Sequence, residues 1–132
     1  MDSLIKQIAI PFKIEDVYEG LAESIGILST DGKYLNFEFQ TKDSFIGLIK
    51  SQVKLVKLNI TDIKTIRFKK GWFSSKIFLS TKSLLHTKDF PGGSREEFKF
   101  KIENKNNEDA MQFVSHINLI IAEFRLSTVE NE

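Results

Sequence analysis

The chain contains no cysteine. That excludes a disulfide framework, a thiolate zinc site and a nucleophilic thiol, and leaves no need for an oxidising compartment. Long apolar runs are also missing. The stretch QIAIPF near the start is too short for the hydrophobic part of a signal peptide or for a membrane span, and an acid follows Met1. A cytoplasmic protein is expected. Without a secretion signal, the glycosylation triplet Asn59-Ile60-Thr61 is read as a chance match.

The patterns that mark catalysis are missing too. There is no HExxH, GxSxG, P-loop or GxGxxG. His86 falls on a weak strand and His116 on the flank of a helical stripe, so both are read as structural. Glu96 and Glu97 are adjacent and are expected to point to opposite faces of a strand. Glu108 and Asp109 are accounted for as charge at a helix start. The PGGS segment has no helix directly after it to supply an amide dipole, and reads as a tight hairpin rather than an anion cradle. No enzyme is expected, and no catalytic residue, metal ligand or cofactor is assigned.

What is present fits one globular domain over residues 1–132, with a core over about 12–125 and a flexible, solvated tail at 127–132. A chain of this length buries about two thirds of its unfolded surface. Hydrophobic residues make up 41% and charged residues 28%, and twelve phenylalanines supply bulky core material. The net charge of +1 hides a division along the chain. Residues 1–43 carry four lysines against eight acids; residues 44–88 carry nine lysines and Arg67 against Asp62 alone; residues 89–132 carry five cations against nine acids. Such a chain either presents a basic face to an anionic partner or neutralises itself across neighbouring strands.

Short alternating segments separated by turns predict an antiparallel sheet. Residues 20–29 read as a strand. Asp31-Gly32 then makes a hairpin with KYLNFEFQ, where Leu35, Phe37 and Phe39 share the inner face. TKDSFIG is a looser connection. In LIKSQVKLVKLNI, Val53 and Leu55 are out of phase with Val56, Leu58 and Ile60, which predicts a bulge near Leu55. After a turn at residues 59–62, IKTIRFKK and SKIFLSTK form strands around Gly71, with Ile66, Phe68, Ile77 and Leu79 inward. A weaker strand is expected near Leu84 to Thr87, a loop over residues 89–94, and a strand in EFKFKIE with Phe98, Phe100 and Ile102 inward. The period then changes to that of a helix. Asn106 or Asn107 is the candidate cap, and Ala110, Phe113, Val114, Ile117, Ile120, Ile121 and Phe124 form its apolar stripe. Residues 1–11 are open between a short helix and an extra strand.

The expected fold is therefore mainly β (α+β), a bent antiparallel sheet or small barrel of about seven strands capped by one C-terminal amphipathic helix. GLAESIGILS with KYLNFEFQ, then LNITDIKTIRFKKGWFSSKIFLS, then PGGSREEFKFKIENKNNEDAMQFVSHI, together roughly residues 12–125, resemble the pleckstrin-homology (PH) superfold. More narrowly they are similar to the PH-like domains of bacteria and their GRAM-type relatives. The match is one of element order and hydrophobic pattern.

That resemblance implies a non-enzymatic binding module for a protein partner, in some members by strand addition at a sheet edge, or for self-association as a homo-oligomer. Lipid-binding members cluster cations in and just after the first strand-to-strand loop. Here the segment taken as that loop, ILSTDGKYLNFEF, has only Lys33 and also holds Asp31 and Glu38, so no inositol-phosphate ligand is carried over.

A different candidate surface lies in RFKKGWFSSK, which sets Arg67, Lys69, Lys70 and Lys76 around the only tryptophan, Trp72, and Phe73. Exposed, this bend would suit an anionic membrane surface, since Trp favours the interface and each nearby cation adds about 1 kcal/mol. Folded back, Trp72 would instead be a lid on the core. Nucleic acid is disfavoured by the near-neutral total and the acidic flanking segments, although cations interleaved with aromatics can stack bases.

Overall fold

The structure, a computed structural model, describes residues 8–17, 20–43 and 52–130, without the side chains of Asp16 and Asp43. Seven strands precede one long helix: β1 (Ile10–Val17), β2 (Ala22–Thr30), β3 (Tyr34–Asp43), β4 (Lys54–Asn59), β5 (Ile63–Lys69), β6 (Ser74–Thr81), β7 (Phe98–Glu103) and α1 (Asn107–Glu130). They form one antiparallel sheet in the order β4-β3-β2-β1-β7-β6-β5. The architecture is mainly β with one closing helix, a PH-like arrangement.

Two meanders, β1 to β4 and β5 to β7, meet at the β1–β7 seam. The edge strands β4 and β5 are consecutive in the chain and joined only by the 3-10 turn Ile60–Asp62. Such a link spans about 15 Å at most. Laid flat, seven strands would put their edges about 29 Å apart. The sheet therefore curls until its edges approach, and α1 closes the gap. Asn118 Nδ2 of the helix donates to Ile66 O at 3.2 Å, giving β5 a partner that no strand supplies.

Inside the curl, Phe12, Phe37, Phe90, Phe98 and Phe100 form one aromatic cluster, with centroid separations from 4.7 to 6.2 Å. Ala110, Phe113, Val114, Ile117 and Ile121 of α1 are buried against it, as the stripe predicts, whereas Phe124 at the far end is 41% exposed. Two glycines answer to backbone demands. Gly32 holds a φ of +91° in the β2–β3 turn, where Asp31 Oδ1 accepts from Lys33 N and Tyr34 N. At Gly26, a Cβ would collide with Glu38 O and the Phe12 ring.

Several expectations need correction. IPFKIEDV is a strand, with Ile10, Phe12 and Ile14 buried, so the core begins at Ile10 rather than near residue 12. Pro11 sits near its start, where a missing N–H does least harm. Leu84–Thr87 is a 3-10 turn, because Ser83 Oγ accepts from Leu85 N and turns the backbone away from any ladder. The strand count of seven survives because one strand is gained and one lost. The β3–β4 register is continuous through Glu38↔Leu55, so no bulge occurs near Leu55; Val53 and Leu55 simply face outward.

Glu96 and Glu97 precede β7 and are both exposed, rather than alternating on it. The α-helix follows a 3-10 turn, Asn104–Asn106, and Asn107 Nδ2 donates to Asn104 Oδ1 instead of its side chain accepting from the helix. The expected tail is helical through Glu130, with Ser127 and Thr128 hydroxyls donating to Phe124 O. Residues 44–47 of the TKDSFIG connection, residues 1–7 and residues 131–132 lie outside the described residues; residues 41–43 belong to β3. Finally, residues 31–33 form the second strand-to-strand connection, not the first. The first falls at residues 18–21, YEGL, preceded by Glu15 and Asp16, and holds no cation.

Candidate functional site

The β5–β6 hairpin ends in an exposed aromatic tip. Trp72 is 94% and Phe73 97% exposed, so the tryptophan does not fold back as a lid. The bend is fixed from beneath by polar contacts. Ser75, completely buried, donates its hydroxyl to Asn104 Oδ1 at 3.1 Å and accepts from Gly71 N at 3.3 Å, while Asn104 Nδ2 donates to Trp72 O at 2.9 Å. The tip is thus tied to the turn that leads into α1. Its aromatics project from a held backbone into solvent, where apolar surface of this size is normally covered.

The predicted cations divide into two groups. Lys69, Lys70 and Lys76 flank the tip, are exposed, and have no carboxylate within ion-pair distance among the described residues. Arg67 stands apart: its guanidinium lies 4.0 Å from the Phe78 ring centroid and 3.7 Å from Glu97 Oε2. Stacking on Phe78 and pairing with Glu97 commit Arg67 to the sheet surface, so it is not a free member of the tip.

Residues outside the predicted set complete the surface. A groove of about 710 Å³ lies on the outer face of the sheet, with Pro11, Ile25 and Ile27 among its apolar lining, Lys13 and Lys101 beside them, and Phe73 and Val53 also lining it. Asn104 lies just before the cap candidates Asn106 and Asn107 and was not itself singled out by the sequence. Lys101 carried no signal, because it reads as the outward residue of an ordinary alternating strand, and Lys13 lies in IPFKIEDV, which the sequence did not announce as a strand.

The two histidines stay apart from this surface. His86 Nδ1 is 3.6 Å from Asp62 Oδ2, and His116 is exposed on α1. Among the described residues, no three His, Cys, Asp or Glu side chains stand close enough to hold a metal, and no helix is long and apolar enough to cross a membrane. Asp31 lies in the β2–β3 turn. The N–H groups of Tyr34 and Lys33 hold its carboxyl below the usual carboxylate range, a consequence of the turn rather than of any site. Compared with protein-family models, curated proteins and solved structures, the chain matches none.

Proposed function

We propose that the chain is a non-enzymatic PH-like binding domain of the bacterial type that docks, from the cytoplasm, on an anionic membrane surface through the β5–β6 tip. The observation that carries this reading is the near-complete exposure of Trp72 and Phe73 between Lys69, Lys70 and Lys76. The aromatics suit the headgroup region, and three unpaired lysines contribute together about 3 kcal/mol next to anionic lipid. Arg67 is left out of this set by its contacts with Phe78 and Glu97. The loop that the family resemblance makes the usual lipid contact, the first strand connection, contains no cation in this chain and follows Glu15 and Asp16 in the sequence.

Trp72, as the only indole, reports directly on the reading. Its emission is expected to be red in the free protein and to shift blue with vesicles containing phosphatidylserine, but not with neutral phosphatidylcholine vesicles. Flotation with the anionic vesicles should weaken as salt rises. Emission indifferent to both vesicles would defeat the proposal.

One observation favours a second reading, self-association. Leu119, Ala122, Leu126 and Val129 follow one another at heptad spacing on the side of α1 away from the sheet, and all four are exposed. Arg125 and Glu130 occupy flanking positions that pair across a parallel seam of two such helices. Light scattering over a concentration series tests it: a dimer lost in Leu126→Glu supports the seam, and a monomer throughout removes it.

A further inference from the structure

Four lysines stand abreast on the outer face of the sheet. Lys69 of β5 is opposite Lys76 of β6, Lys76 is opposite Lys101 of β7, and Lys101 is opposite Lys13 of β1. The chain neighbours of Lys13, Lys76 and Lys101 point inward: Phe12, Ile14, Ser75, Ile77, Phe100 and Ile102 are all buried, and Phe68, which precedes Lys69, is half-buried against the same core. The four side chains therefore leave from the same face.

Like charges directly opposite each other on adjacent strands are destabilising, and here the juxtaposition occurs three times in succession. Only Lys101 has relief, from Glu15 Oε2 at 3.2 Å. Lys13, Lys69 and Lys76 have no carboxylate within ion-pair distance among the described residues. Elsewhere on the sheet the chain does the opposite. Glu23 and Lys42 are cross-strand partners on β2 and β3 and meet at 3.0 Å. Three of the four lysines in the row are thus left, among the described residues, without a carboxylate to offset their neighbours.

We infer that this row binds a multiply phosphorylated ligand. Adjacent strands are about 4.8 Å apart, so the row places four positive charges over about 15 Å, across the strands rather than along them. An extended acidic peptide presents carboxylates on one side only every 6.6 Å or so. Phosphates joined through a bridging oxygen, or carried on neighbouring carbons of one ring, deliver several charges at shorter intervals. Each offers several acceptor oxygens to ammonium groups that impose little directional demand. The groove beside Lys13 and Lys101 gives the rest of such a ligand a place to lie.

The inference deepens the proposed anionic-surface reading, with which it shares Lys69 and Lys76 but not Lys13 or Lys101. The phosphates can belong to a lipid headgroup or to a free molecule, and the test separates the two. Sodium tripolyphosphate is titrated into the full chain at low salt while thermal unfolding is followed. The expected result is a concentration-dependent rise in Tm that fades as salt increases.

Lys76→Gln, which removes a lysine flanked on both sides and without an acidic partner among the described residues, should raise the Tm of the free protein and weaken tripolyphosphate binding about tenfold. Lys13→Gln, far from the tip, should weaken it by a similar factor, and Lys64→Gln serves as the control that changes nothing. Tripolyphosphate that leaves Tm unmoved, or Lys13→Gln binding as tightly as the parent chain, overturns the inference. If tripolyphosphate binds but phosphatidylserine vesicles do not, the tip reading falls, the row stands, and the ligand is a free phosphorylated molecule. If vesicles carrying a phosphomonoester lipid bind more tightly than phosphatidylserine vesicles, and Lys13→Gln erases the difference, the ligand is a headgroup. Vesicle binding without any tripolyphosphate effect retains the tip and removes the row.

Discussion

The five clustered phenylalanines of the core are each at most 4% exposed, whereas Trp72 and Phe73 at the β5–β6 bend are more than nine-tenths exposed. The two regions carry the same kind of side chain and differ in what holds them. In the core, the aromatic rings hold each other and the backbone follows. At the tip, the backbone is held by Asn104 and Ser75 and the rings hold nothing. Apolar surface in the first place contributes stability; in the second it stays available for a partner.

Substitutions can break this contrast or sharpen it. Phe100→Ala has the largest expected effect, since the ring touches Phe12, Phe37 and Phe98 at the centre of the cluster. A loss of about 3–5 kcal/mol is expected in denaturant melts. Asn104→Ala removes the partner of both Trp72 O and the buried Ser75 hydroxyl. It should lower stability by about 1–2 kcal/mol and reduce the fluorescence anisotropy of Trp72 as the tip loosens. Unchanged anisotropy would show that the clamp does not hold the tip.

A smaller loss is expected for Asp31→Ala, which opens the β2–β3 turn. Because folding lowers the Asp31 pKa, its contribution is present above the ordinary carboxylate range and disappears as pH falls through the lowered value. The stability gap between variant and parent chain should therefore narrow in acid, and a gap independent of pH would contradict the turn's role. The smallest effect on stability belongs to Trp72→Ala and Phe73→Ala, within about 0.5 kcal/mol of the parent chain. The same two variants should lose vesicle binding, so that stability and function separate at the tip and coincide in the core.

Local alternation made most of the sheet legible. Leu35, Phe37 and Phe39, like Phe98, Phe100 and Ile102, announce their face by period two, and the helical stripe announces itself by its change of period. What escaped depended on competition or on distance. Ser83 can serve a strand or cap a turn, and the choice was settled by a hydrogen bond that propensity does not weigh. The exposure of Trp72 could not be read because a bend with an aromatic fits either a lid or a fingertip. The lysine row was invisible for a different reason: it exists only once β1 is paired with β7, which brings together residues from opposite ends of the chain.

That same seam bears on how the chain folds. Every other strand pairing joins neighbours in sequence within one meander; β1–β7 alone links the first strand to the last. Loop-closure entropy for this contact must be met before α1 finds its complete groove. Folding is then expected to be limited by the docking of two preformed meanders. Core-face truncations in β1 and β7, such as Ile14→Val or Ile102→Val, should slow refolding, while comparable changes in β4, such as Leu58→Ala, mainly hasten unfolding. On this view the seam that assembles the lysine surface is also the slow step in the chain's own assembly.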